Sequence, residues 1–409
     1  MNALAVIRAA EQQLKERFQQ MEEVAYQNQA KIIESFKKHR VREYHFNTTT
    51  GYGYGDDGRD LLESIYAHIF EAEDAIVRQQ LVSGTHAISA CLFGLLYPGD
   101  ELISIIGSPY DTLGNVIGKE VPAGGTLIDR GIKYSEVPLD LNGGPDFKAI
   151  AESVTDKTKM VLIQRSRGYT LRPALNIDQI KRLVLTVKER NQQTIVMVDN
   201  CYGEFTDTIE PIACGADVVA GSLIKNPGGG LAPSGGYIVG EKGLLNKIAY
   251  HITAPFLGKS LGASLANKRL FFQGLFLAPH VVLQSLKGAC LFARVFEVMG
   301  YDVYPKWDEP RGDIVQTIKF NNPEEVLEFC QIIQNCSPVD SDVSLEYAAV
   351  PGYSRPIVMA AGTFVQGSSI ELSCDAPFKE PYSVFLQGGL TYEHCRYAAH
   401  LLIDRFNAI

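Results

Sequence analysis

No C-x-x-C step and no zinc-like spacing occurs among the eight cysteines of this 409-residue chain, at positions 91, 201, 214, 290, 330, 336, 374 and 395. The expectation is therefore reduced thiols in a core, and no metal site. A clustered basic patch is also missing. Lys and Arg number 38 against 47 Asp and Glu, a net charge of -9, which argues against nucleic acid as the main partner. No uninterrupted apolar run approaches the roughly 18 residues of a membrane span, and no signal peptide is evident, so a cytoplasmic protein without a membrane partner is expected. Internal repeats and low-complexity segments are absent as well.

What remains is ordinary globular material, 46% hydrophobic and 21% charged, long enough for one large domain and a smaller one. Leu4, Ile7, Leu14, Phe18, Met21, Val24, Ile32 and Phe36 stripe an amphipathic helical arm, residues 1–45. From Glu101 apolar runs alternate with helical patterns: ELISIIGS, KMVLIQRS, the helix NIDQIKRLVLTVKER with Asn176 as cap, TIVMVDN, ADVVAGSLI and GGYIVG. That alternation predicts an α/β fold on a mostly parallel sheet, residues 46–300. A helical pattern with Pro279 in its first turn and Gly300 as terminator leads into a second unit, residues 301–409, where the strand DIVQTIKF feeds a helix capped by Asn322.

Four features stand at the ends of these elements. Ser83, Gly84 and Thr85 open the helical stretch HAISACLFGLL, where exposed backbone N–H groups favour an anion such as phosphate, although Ser-Gly-Thr also serves as a plain cap. Tyr110 follows the strand ELISIIGS and could stack on a flat ring or simply pack. Asp199 closes an apolar strand, where a carboxylate needs a partner, water or a helix end to cap. Lys225 closes ADVVAGSLI, with Ser222 three residues before it, in the place where a loop's first solvated residue would also stand. Phosphate anchor, ring stacker, carboxylate and amine are together the parts that hold pyridoxal phosphate.

VDNCYGEF, GADVVAGSLIKN and GGYIVG resemble the cofactor core of fold-type I pyridoxal-phosphate enzymes, most of all the cystathionine and methionine lyase group. GYGYGDDGRDLLESIYAHIF, RQQLVSGTHAI, MAAGTFVQGSSIELS and FLQGGLTY are similar to its bacterial methionine gamma-lyase-like, or aluminium-resistance, branch. The resemblance implies Lys225 as the Schiff-base lysine, Asp199 as partner of the pyridine nitrogen, Tyr110 as stacking ring, and Gly84, Thr85 and Ser222 at the phosphate; Ser83 joins that cup at the helix start, and Tyr110 is also the candidate catalytic acid for the leaving group. It also implies a homodimer or homotetramer with shared sites, in which Tyr54 (or Tyr52) and Arg59 reach the neighbour's phosphate. The implied reaction is elimination across a carbon–sulfur bond of an amino acid. An aminotransferase, an aldolase or a cofactor-binding stress protein are the alternatives, because fold and cofactor do not fix the bond broken.

Two glycine motifs mislead. GYGDDG at 53–58 matches a dinucleotide fingerprint, but a polar HFNTTT precedes it and two aspartates would repel phosphate. GKS at 258–260 lacks the first P-loop glycine, Thr253 standing there. One departure matters more. The lyase group places a carboxylate-binding arginine in the stretch corresponding to SSIELS, where this chain has Glu371. Arg165, Arg167 and Arg172, after a strand end, are then the candidates for the substrate carboxylate, with Arg355 as an outsider.

Overall fold

Short apolar runs rich in β-branched residues suit strands covered on both faces, and such runs build the centre of the molecule. The computed structural model describes residues 2–119 and 124–406. Its first sheet contains β1 (Asp74–Arg78), β2 (Glu101–Ser104), β3 (Lys133–Glu136), β4 (Thr158–Gln164), β5 (Ile195–Asp199), β6 (Val218–Ser222) and β7 (Gly236–Gly240). They lie in the order β1-β7-β6-β5-β4-β2-β3. β2 to β6 pair parallel, while β7 runs antiparallel to both β1 and β6. Every residue of β5, β6 and β7 is buried. The register Gln164↔Asp199↔Ala220 brings the carboxyl ends of β4, β5 and β6 into line, the edge where open parallel sheets bind ligands.

A second, wholly antiparallel sheet follows: β8 (Asp302–Tyr304), β9 (Gln316–Lys319), β10 (Ile357–Ala360), β11 (Ser373–Pro377) and β12 (Ser383–Gln387), ordered β10-β11-β12-β9-β8. The expected caps are present. Asn176 accepts from the Gln179 amide ahead of helix Ile177–Arg190, and Asn322 from the Glu325 amide ahead of Pro323–Asn335. The N-terminal helix Ala3–Lys38 lies against the helices Lys268–Val298 and Tyr392–Phe406, with Glu11 paired to Arg396 at 2.8 Å.

One reading needs correction here. Pro279 is not in a first turn: the helix starts at Lys268, and the proline stands in its interior. Losing one backbone bond there costs about 3 kcal/mol, which the burial of Phe271, Phe272, Leu275 and Val282 around it offsets. That same helix is long and apolar enough, by length and composition, to cross a bilayer, although polar residues interrupt every run in it. Two thirds of its apolar window is buried inside the protein, as a core helix requires.

Candidate active site

Helix Gly84–Leu95 begins where the Ser83 side chain accepts from the His86 amide, which ties down one of the free first-turn donors. The Gly84 and Thr85 amides keep no partner among the described residues. A Cβ on Gly84 would come within 3.0 Å of Ser222 Cβ and 3.2 Å of Cys201 Sγ, so only glycine lets the helix end approach β6 this closely. Ser222 lines the same cavity as Gly84 and Thr85 and supplies a hydroxyl there. This is a cradle of two amides and a hydroxyl at a helix N-terminus, chemistry that suits a phosphate.

A cavity of about 310 Å³ extends from this cradle between the carboxyl edge of the first sheet and strands β10, β11 and β12 of the second. Lys225 lies on its floor. The strand ends at Ser222, and a turn in which the Lys225 amide donates to the Ser222 carbonyl carries the lysine off the sheet, to the start of the short helical turn Asn226–Gly228. Its Nζ stands 4.0 Å over the ring of Tyr202, a cation–π contact. Burial disfavours the ammonium, and the Asp199 carboxylate works against that push.

Asp199, buried at the end of β5, accepts from the Cys201 amide at 3.1 Å. Burial pushes its carboxyl up, and the charge of Lys225 works against that push. Tyr110 is fixed from two sides. Its amide donates to Gln164 Oε1 at 2.9 Å, and its hydroxyl lies 3.0 Å from Thr85 Oγ1. Burial, with Asp199 nearby, keeps that hydroxyl protonated well past the ordinary tyrosine range. Ser83, Gly84, Thr85, Tyr110, Asp199, Ser222 and Lys225 therefore all line one cavity. As a donor set, they fit pyridoxal phosphate: anion cradle, flat ring, carboxylate and amine.

Other expected residues lie elsewhere. Arg165 is committed to Asn200, Glu210 and Thr206, Arg167 to the Tyr304 carbonyl and Asp313, and Arg172 to the carbonyls of Pro173, Gln164 and Ser166. All three are buried behind the wall and none lines the cavity. Arg355 is exposed, outside the lining. Arg59 is buried, donating to the Gly53 and Gly262 carbonyls, while Tyr52 and Tyr54 are exposed and away from the cavity of their own chain. Glu371 accepts the Phe364 and Val365 amides at 2.9 and 3.0 Å, so where a cation was looked for, a carboxylate holds a loop.

Sequence reading missed Cys201, Tyr202, Gln164, Tyr169, Ser369 and Asp375, all in the lining. Cys201 and Tyr202 follow Asp199 directly and were within reach. Gln164 is legible only through its register with Asp199. The last two stand on the second sheet and its approach, with no sequence signal.

A family model described as "Methionine gamma-lyase" matches residues 3–407. The uncharacterized protein YnbB of Bacillus subtilis (strain 168) is 49% identical over 386 residues, covering 94% of this chain and 92% of that protein. The crystal structure of a carbon-sulfur lyase involved in aluminum resistance from Clostridium novyi NT is 45% identical, with a TM-score of 0.94 over 98% of this chain and 95% of that one. The pyridoxal-5'-phosphate dependent protein YhfS from Escherichia coli, at 18% identity, shares the fold alone, with a TM-score of 0.59 over 94% of this chain and 96% of that one. The two-sheet architecture is thus the fold-type I arrangement of pyridoxal-phosphate enzymes, and the chain belongs to the methionine gamma-lyase family.

Proposed function

We propose that the protein is a pyridoxal-phosphate-dependent carbon–sulfur lyase that acts on a sulfur-containing amino acid by β or γ elimination. The observation that carries this reading is the convergence of Lys225, Asp199 and the Gly84–Thr85 cradle on one cavity, in a chain of this family. When bound, the cofactor supplies an aldehyde that captures amines and a ring that withdraws electrons from the substrate Cα.

The chain's own residues divide the remaining work. The amides of Gly84 and Thr85 and the Ser222 hydroxyl hold the phosphate, and Asp199 keeps a proton on the ring nitrogen. The Lys225 amine takes the Cα proton. Tyr110, whose hydroxyl burial keeps protonated, gives its proton to the departing sulfur. The eight unpaired cysteines suit a reducing compartment, and we place the reaction in the cytoplasm.

Two measurements test this. Borohydride reduction and peptide mapping should place a pyridoxyl adduct on Lys225, and an adduct on another lysine would defeat the assignment. Cystathionine, cysteine, homocysteine and methionine, offered singly without an acceptor, should yield at least one substrate that releases 2-oxo acid and ammonia equally over many turnovers. Turnover that depends on an added 2-oxo acid would mean transamination instead, and silence with every substrate would favour a binding protein.

A further inference from the structure

The second sheet presents the cavity with a carboxylate that the reaction above leaves unused. Asp375, in β11 between Met359 of β10 and Phe385 of β12, lines the cavity. The Tyr169 hydroxyl donates to its Oδ2 at 3.0 Å and the Gln387 amide donates to the same oxygen at 2.9 Å. Both donors converge on one oxygen, so the carboxylate is oriented, and Oδ1 is left with no protein partner among the described residues. Asp375 is half-buried, and Oδ1 is the oxygen free to accept from whatever occupies the cavity.

The charge inventory points the same way. Among the described residues, Asp111, Asp199 and Asp375 line the cavity against a single cation, Lys225. Asp199 and Lys225 are assigned to the cofactor. The arginines that would greet an anion are bonded elsewhere, and Glu371 has turned to the loop amides. The small-domain side of the cavity is therefore built as an acceptor.

We propose that Asp375 determines specificity and that the preferred substrate is a thioether amino acid carrying a second ammonium group, beyond its α-amine, which Asp375 Oδ1 accepts. The inference rests on the reading that a sulfur amino acid occupies this cavity. It differs from that reading in naming the charge of the group attached to sulfur.

Three cysteine thioethers separate the possibilities. S-(2-aminoethyl)cysteine ends in an ammonium, S-propylcysteine has the same number of heavy atoms without charge, and S-carboxymethylcysteine ends in a carboxylate. Dissociation constants are measured by calorimetry on cofactor-loaded Lys225→Ala protein, where no turnover is needed, and kcat/KM values on the wild type. The ammonium ligand should bind about tenfold or more tighter than the propyl ligand, with the carboxymethyl ligand weakest. Asp375→Asn should bring the first two within about twofold of each other while the propyl ligand's own constant changes little. Equal binding of the ammonium and propyl ligands by wild-type cavities, tighter binding of the carboxylate, or a preference that survives Asp375→Asn would each overturn the proposal. If Asp375→Asn does not fold, the ranking in the unsubstituted cavity still decides. A preserved ranking without any 2-oxo acid release would sink the lyase reading alone, and steady elimination without the ranking would sink this one alone.

Discussion

Glu204 shows how far a single side chain here can depart from its solution chemistry. It is fully buried five residues past Asp199, takes a hydrogen bond from the Tyr237 hydroxyl at 2.8 Å on Oε1, and has no partner for Oε2. Burial pushes its pKa up to about 8, against the pull of the Tyr237 bond. An unfolded glutamate titrates near 4.5, so between these two values the native state binds the extra proton. Stability from this group is then full below the lower value and is lost as pH rises toward the upper one. Glu204→Gln should flatten that limb: chemical denaturation at about pH 6 and about pH 9 should show the wild type losing clearly more stability than the variant. At the same scale, Tyr110→Phe should keep the cofactor's absorbance yet cut kcat on a sulfur substrate by about a hundredfold, the usual worth of a positioned acid.

Among the elements, the glycine-rich segment before helix Asp57–Ile69 is held by Asp56 rather than by its glycines. Asp56 caps that helix through the Arg59 amide, accepts from Ser264 and Thr49, and pairs with the buried Lys268 ammonium at 2.6 Å. Although burial opposes its charge, Lys268, Ser264, Thr49 and the Arg59 amide together hold its carboxyl well below the usual range. A depressed carboxyl contributes stability that is present above its unfolded pKa and is lost as pH falls through the folded one. Asp56→Asn strands a buried lysine and should cost about 3–5 kcal/mol, read as a lower denaturation midpoint at neutral pH, with the gap to wild type narrowing in acid. The dinucleotide fingerprint that this segment imitates in sequence has no counterpart in space, because no strand leads into it.

At the scale of the whole molecule, the segment also presents surface that its own chain does not cover. Tyr52 and Tyr54 are 71% and 61% exposed. We expect a homo-oligomer in which Tyr54 reaches a neighbour's phosphate cradle, because Arg59 spends its guanidinium on the Gly53 and Gly262 carbonyls. Light scattering should give at least a dimer. Refolding a mixture of Tyr54→Ala and Lys225→Ala protomers should regain part of the activity that each lacks alone, and a mixture that assembles but stays inactive would refute the shared site.

The cluster proposed to hold the cofactor was largely legible in the linear chain, for a physical reason. A parallel strand buried on both faces must be apolar to its end, so Asp199 stands out as the residue that breaks the rule, and Lys225 follows the next such strand within a short loop. The Ser-Gly-Thr turn was likewise readable because a helix start is a local event, settled by bonds three residues apart. The substrate half is different. Tyr169, Asp375 and Gln387 meet only because the second sheet folds over the edge of the first, and no spacing along the chain encodes that approach. The arginines failed as candidates for the same reason: a guanidinium in QRSRGYTLRP can face a cavity or a backbone carbonyl with equal ease, and only packing against Asp313, Glu210 and the strand-end carbonyls decided which. Local pattern thus determined the strands, the caps and the amine, while tertiary contact alone decided which charges face the cavity.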